Sequence, residues 1–221
     1  MTEIKKTPDG IEIPPPGPND VLYEKGDGFV RITINRPTVL NAMNKNVQRL
    51  LYSALERADA DDDVKAVILT GAGRGFCSGA DVGGQAEGLS RPPGQGSERR
   101  STDAAFAESI LALGPHLPRL PQPVIAAING VAAGAGLSIA LASDIRIASD
   151  QARFSSIFIK RSLVPDNGAS YFLPALAGMG VAAEMALTGR IYDAQWALQK
   201  GLVNKVVEPS QLWAEVDRWI A

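Results

Sequence analysis

The chain has 221 residues, 45% of them hydrophobic and 21% charged, with a net charge of −2. That balance fits one ordinary globular domain and argues against nucleic-acid binding as its main task. The single cysteine, Cys77, excludes an internal disulfide and fits a reducing, cytoplasmic compartment, and with His116 as the only histidine no metal site is expected. No run of apolar residues is long enough to span a membrane, and the N-terminus lacks the apolar stretch of a signal peptide.

Residues 1–20 carry Pro8, Pro14, Pro15, Pro16 and Pro18 and read as an extended tail. Val21–Lys25 and Phe29–Asn35, joined through Gly26-Asp27-Gly28, predict a β-hairpin. Asn44 then caps a helix whose apolar stripe is Val47, Leu50, Leu51, Ala54, Leu55 and Ala58, and Asp61-Asp62-Asp63 ends it. The apolar run Val64–Thr70 predicts a buried strand, and Gly71–Gln85 after it is rich in glycine and alanine. Gly83–Asp103 reads as a loop, followed by a helix near 104–113.

A second strand, Pro123–Asn129, runs into the glycine-rich turn Gly130–Gly136 and then an apolar helix over 136–142, with another strand at 144–148. A helix is expected near 167–176, Asp193 caps a short helix that Gly201 closes, and Pro209-Ser210 opens a last amphipathic helix. The alternation predicts an α/β fold: a tail over 1–20, a core over 21–208, and the start of a C-terminal helical region over 209–221.

Two strands that each end in a bare backbone turn can aim two N–H donors at one oxygen, the minimum of an oxyanion hole; tight strand–helix packing accounts for the same glycines. Other motifs fail. A dinucleotide fingerprint would need glycine at 76, where Phe76 stands, and a P-loop would need a lysine after the glycines. Gly75-Phe76-Cys77-Ser78-Gly79 is not the serine-nucleophile elbow. Cys77 reads as a small buried thiol and His116 as a surface residue.

Four blocks in register, Asn35–Met43, Gly75–Asp81, Asn129–Gly136 and Gly189–Val203, resemble the enoyl-CoA hydratase/isomerase (crotonase) superfamily over roughly residues 20 to 210. The resemblance implies a spiral of repeated ββα units, with a C-terminal helical region short or missing. It also implies an acyl-CoA or enoyl-CoA substrate whose thioester carbonyl lies between the amides of Ser78 and Ala135. Coenzyme A would enter as part of the substrate, not as a resident cofactor, along Val39, Leu40, Ser78, Gly79, Ala80 and Asp81. A homotrimer or hexamer is the implied assembly. No metal and no nucleic acid enter this picture.

Hydratases of the family use two glutamates, and register puts Ser138 and Phe158 at their positions; no glutamate lies between Glu108 and Glu184. One carboxylate remains nearby: Leu163–Gly168 resembles the segment that carries the single acid of family isomerases, so Asp166 is the expected proton shuttle. As a turn residue, Asp166 also fits as a cap for the following helix. Three readings stay open: an isomerase using one Asp, a hydratase with an atypical site, and a non-catalytic acyl-CoA-binding relative.

Overall fold

A computed structural model of the chain describes residues 15–81 and 113–221. The loop expected over 83–103 and all but the last residue of the helix expected near 104–113 lie outside the described residues. The hairpin forms as read, with β1 (Val21–Lys25) antiparallel to β2 (Phe29–Ile34). The Asn44 side chain accepts from the Val47 amide at 2.9 Å and starts α1 (Lys45–Asp59). Val47, Leu51, Ala54, Leu55 and Ala58 are buried on one stripe of that helix, while Leu50 is half-buried at its edge.

From there the chain alternates between two sheets. β3 (Ala66–Gly71), β5 (Val124–Ile128), β7 (Ile145–Ser149) and β10 (Lys205–Val207) extend the hairpin into a six-stranded sheet of order β1-β2-β3-β5-β7-β10. The strands that follow β3, β5 and β7, namely β4 (Gly75–Cys77), β6 (Val131–Ala133) and β8 (Arg153–Ser155), turn off into a second sheet that β9 (Tyr192–Asp193) completes, of order β4-β6-β8-β9. This is the expected spiral of ββα turns. Every pair in the large sheet after β1·β2 is parallel, which is why β3 and β5 read as continuous apolar runs: parallel strands are covered on both faces.

The period-two alternation of those strands sorts side chains between two cores. Val67, Leu69, Val124, Ala126 and Ile128 join the main core under α1 and α3 (Ala135–Ala142). Ile68, Ile125, Ala127 and Ile147 face the other way, where Leu212 and Val216 of α6 (Leu212–Ile220) cover them. The outer edge of α6 keeps Trp213 and Trp219 part-exposed, one beneath the Arg31 guanidinium and the other donating its indole N–H to Glu215.

The remaining helices are a single turn, α2 (Leu113–His116), then α4 (Ala169–Thr188) and α5 (Ala194–Gln199), which Asp193 caps through the Trp196 amide. α4 is long and apolar enough to cross a membrane by composition. It breaks at Gly178 (φ 79°, ψ 160°), so neither piece reaches the roughly 20 residues a span requires.

Candidate active site

The first glycine-rich turn is held by side chains from far along the chain. Leu40 and Asn41 both take the left-handed conformation, φ 50° and 59°, which Asn tolerates better than most residues. Fully buried Asn41 accepts from the Arg36 amide at 2.9 Å and donates to the carbonyls of Ala72 and Gly75 at 2.9 and 2.6 Å. Asn129 grips the same turn from the second strand, donating to the carbonyls of Gly71, Gly73 and Gly75. The Arg36 guanidinium, buried, bonds the Ala42 carbonyl and the Asp81 carboxylate at 2.6 and 3.0 Å.

This network brings all the expected coenzyme A contacts together. Ser78 donates its amide to the Leu40 carbonyl at 3.0 Å and its hydroxyl to the Val39 carbonyl at 3.3 Å. Met43 bridges Ala80, its amide donating to the Gly79 carbonyl and its carbonyl accepting from the Asp81 amide. Two expectations need correction. The Ser78 N–H is consumed by Leu40 and is not a free oxyanion donor. The Asp81 carboxylate is engaged by Arg36, so its side chain braces the turn. In a parallel bridge the bridged residue's own N–H points away from its partner, which turns the Ala80 amide away from Met43; no described residue accepts from it.

The second turn meets the first backbone to backbone. Gly79 (φ 104°) lies so close to it that an added Cβ would stand 2.9 Å from the Ala133 carbonyl oxygen and 3.6 Å from the Ala135 nitrogen. Gly136 abuts the Cys77 carbonyl, where a Cβ would stand only 2.2 Å away. Ala135 opens α3, and its amide, as a first-turn N–H, has no partner inside the helix. Two uncommitted amides, of Ala80 and Ala135, thus flank the Gly79 contact, and the helix dipole adds positive potential at the second.

Ser138, one turn into α3, is fully buried, and its hydroxyl lies 3.1 Å from the Asp166 carbonyl and 3.2 Å from that of Gly134. This ties the Pro165–Gly168 turn to the same helix end. The turn uses left-handed backbone at Asn167 (φ 49°) and Gly168 (φ 87°). The Asp166 carboxylate does not cap α4: Gly168 is the N-cap, with no side-chain cap bond, and the Ala169 amide is satisfied by the Asp166 main-chain carbonyl. The half-buried carboxylate instead keeps Oδ1 buried without a hydrogen-bond partner. Burial holds its pKa above the usual carboxylate range, with its own backbone N–H as a smaller opposing influence.

A model of the enoyl-CoA hydratase/isomerase family matches residues 24–221. The chain belongs to the enoyl-CoA hydratase/isomerase family. It is 37% identical over 192 residues to the 1,2-epoxyphenylacetyl-CoA isomerase of Escherichia coli, covering 87% of this chain and 71% of that one. It is 39% identical over 199 residues to a short-chain-enoyl-CoA hydratase of Clostridium acetobutylicum, covering 88% and 71%. A crystal structure of an enoyl-CoA hydratase from Bacillus anthracis superposes with a TM-score of 0.79 at 32% identity, over 91% of this chain and 75% of that one.

Within this family frame, Ser138 is bound up in hydrogen bonds and Phe158 is packed into the main core, so neither position offers an acid. Cys77 is fully buried and its thiol is pushed up to about 12, which keeps it an inert core group. His116 is not the surface residue expected. It is half-buried, its ring lies 4.5 Å from that of Tyr52, and Nδ1 is 3.3 Å from the Tyr52 hydroxyl. The sequence reading missed Arg36, Asn41, Asn129 and Asn167 as supports of the site. All four stand inside segments quoted for the resemblance, where a polar residue beside the turns is the signal that was available. Among the described residues no group of His, Cys, Asp and Glu gathers to hold a metal ion.

Proposed function

We propose that the chain isomerises the double bond of an enoyl-CoA thioester, with Asp166 as the single acid/base. One observation carries this reading: a half-buried carboxylate with an unpartnered oxygen sits on a turn bonded to α3, whose N-terminal amide is free. The thioester oxygen accepts from the Ala80 and Ala135 amides, each such donor contributing about 3–4 kcal/mol in the transition state. Asp166 takes a proton from C2 of a 3-enoyl thioester, the electrons move into the polarised carbonyl as a dienolate, and the same proton returns at C4. Coenzyme A lies along Val39, Leu40 and Ser78–Asp81. Hydration is disfavoured because Ser138 and Phe158 stand where a two-glutamate site needs its acids. The working form is a homotrimer or hexamer, supported by the exposed Tyr171, Met179, Leu187 and Ile191 around α4.

The test compares 3-hexenoyl-CoA isomerisation with crotonyl-CoA hydration. Isomerisation is expected, with hydration far below an ordinary turnover of about 10 per second. Asp166→Asn keeps size and turn chemistry and lowers isomerisation kcat by roughly 10²-fold or more while leaving affinity for the thioester nearly intact. Wild-type turnover in Asp166→Asn would overturn the assignment; binding with no turnover of any enoyl-CoA would favour a non-catalytic acyl-CoA-binding protein.

A further inference from the structure

We infer that Ser138 is a positioning residue for Asp166, its buried hydroxyl fixing the acid-bearing turn at a set distance from the oxyanion end of α3. The inference rests on the reading of Asp166 as the acid/base and adds what holds that group in register. A serine hydroxyl has one proton. Bonding only to the carbonyl four residues back would be the ordinary behaviour of serine inside a helix, and Gly134 offers that acceptor at 3.2 Å. Yet the Asp166 carbonyl stands slightly nearer, at 3.1 Å, 28 positions on in the chain. The hydroxyl thus spans α3 and the turn. Among the described residues no other hydrogen bond links the Asp166 turn to α3.

The need for such a tie follows from the turn itself. Among the described residues Asp166 has no charged partner, and its unpartnered Oδ1 gives the side chain nothing to lean on. Its place is therefore set by the main chain. Two buried polar side chains hold that main chain: Ser138 grips the carbonyl of residue 166, and Asn167 (2% exposed) accepts the Gly114 amide of α2 at 2.8 Å. Ser138 is the one that refers the turn to the helix bearing the Ala135 amide. A proton shuttle must reach two carbons of a substrate anchored at that amide, so drift between α3 and the turn costs rate before it costs binding.

The test is a double-mutant cycle on 3-hexenoyl-CoA. Ser138→Ala removes the bond without stranding a buried acceptor, because the Asp166 carbonyl still receives the Ala169 amide. We expect kcat to fall roughly tenfold with KM little changed, the acid limb of the kcat pH profile to move, and Asp166→Asn/Ser138→Ala to be no slower than Asp166→Asn alone. A Ser138→Ala enzyme with wild-type kcat and pH profile would overturn the inference and leave Asp166 as the base. Losses that multiply in the double mutant would also overturn it, placing the effect at the oxyanion end or in general stability. Asp166→Asn at the wild-type rate would sink both readings together.

Discussion

The two halves of the site are built of different material. The proposed oxyanion half is main chain: glycine backbones pressed together, two amides with no acceptor among the described residues, and Asn and Arg side chains that hold carbonyls in place. The acid/base half is one side chain on a turn fixed by two hydrogen bonds. A backbone-made half cannot be altered by exchanging a functional group, only by disturbing the packing that shapes it. A side-chain-made half can be exchanged residue by residue without unfolding the protein. Family members that share the first half and differ in the second can therefore run hydration or isomerisation on one scaffold.

The sharpest way to break this contrast is Gly136→Ala. The new Cβ would stand 2.2 Å from the Cys77 carbonyl oxygen, a main-chain atom with no freedom to step aside. Overpacking of this kind costs at least about 3 kcal/mol, enough to remove most of a marginal domain's stability. Little soluble folded protein is expected. Gly180→Ala is the control: nothing lies within 4 Å of its added Cβ, its φ is ordinary, and its Tm should hold or rise slightly. If Gly136→Ala melts like the wild type, the two turns are less closely packed than described and the oxyanion half loses its fixed geometry.

The same contrast explains what was legible in the sequence. The strands, α1 with its Asn44 cap, and both glycine-rich turns follow from local pattern, because apolar runs and glycines declare themselves within a few residues. The choice between Ser78 and Ala80 as amide donor does not. Five consecutive small or polar residues, Cys77–Asp81, look alike, and the direction of each N–H is set by remote partners: the Leu40 carbonyl takes one, and the Met43 bridge turns the other outward. Asp166 was legible as an acid in the right block, but its freedom from capping duty depends on Gly168 starting α4, which is a matter of backbone geometry. His116 was misread because its partner Tyr52 lies on α1, 64 positions away.

A second, smaller perturbation tests the support of the backbone half. Arg36→Met removes the guanidinium from the Ala42 carbonyl and from Asp81, whose side chain is only 13% exposed. Removing one member of a buried pair weakens what holds the other, and the cost is about 2–4 kcal/mol, discounted for the exposure of Asp81 and for its other contacts. Chemical denaturation should show that loss, and kcat/KM should fall because the Ala80 amide belongs to the same turn, next to Asp81. An Arg36→Met protein of unchanged stability would mean that Asn41 and Asn129 hold the turn without help.

The smallest effect concerns Asp166 itself, and its sign separates an active-site carboxylate from a structural one. A structural aspartate is held by partners that favour its charge, so replacing it destabilises. Asp166 is in the opposite position: burial raises its pKa above the usual carboxylate range. For a carboxyl raised on folding, the folded state binds the proton more tightly than the unfolded state does. Native stability is then unpenalised at low pH and is lost as pH rises from the unfolded pKa through the folded one. Asp166→Asn has no such loss, so its Tm should exceed the wild-type value at pH 7 and converge on it near pH 4. His116, whose pKa burial lowers, titrates equally in both proteins and drops out of the difference. A variant that loses turnover while gaining stability would mark Asp166 as a group kept for chemistry at a cost to the fold. A lower Tm at pH 7 would mean that the carboxylate has a stabilising partner after all, and that the turn is held by its charge as well as by Ser138 and Asn167.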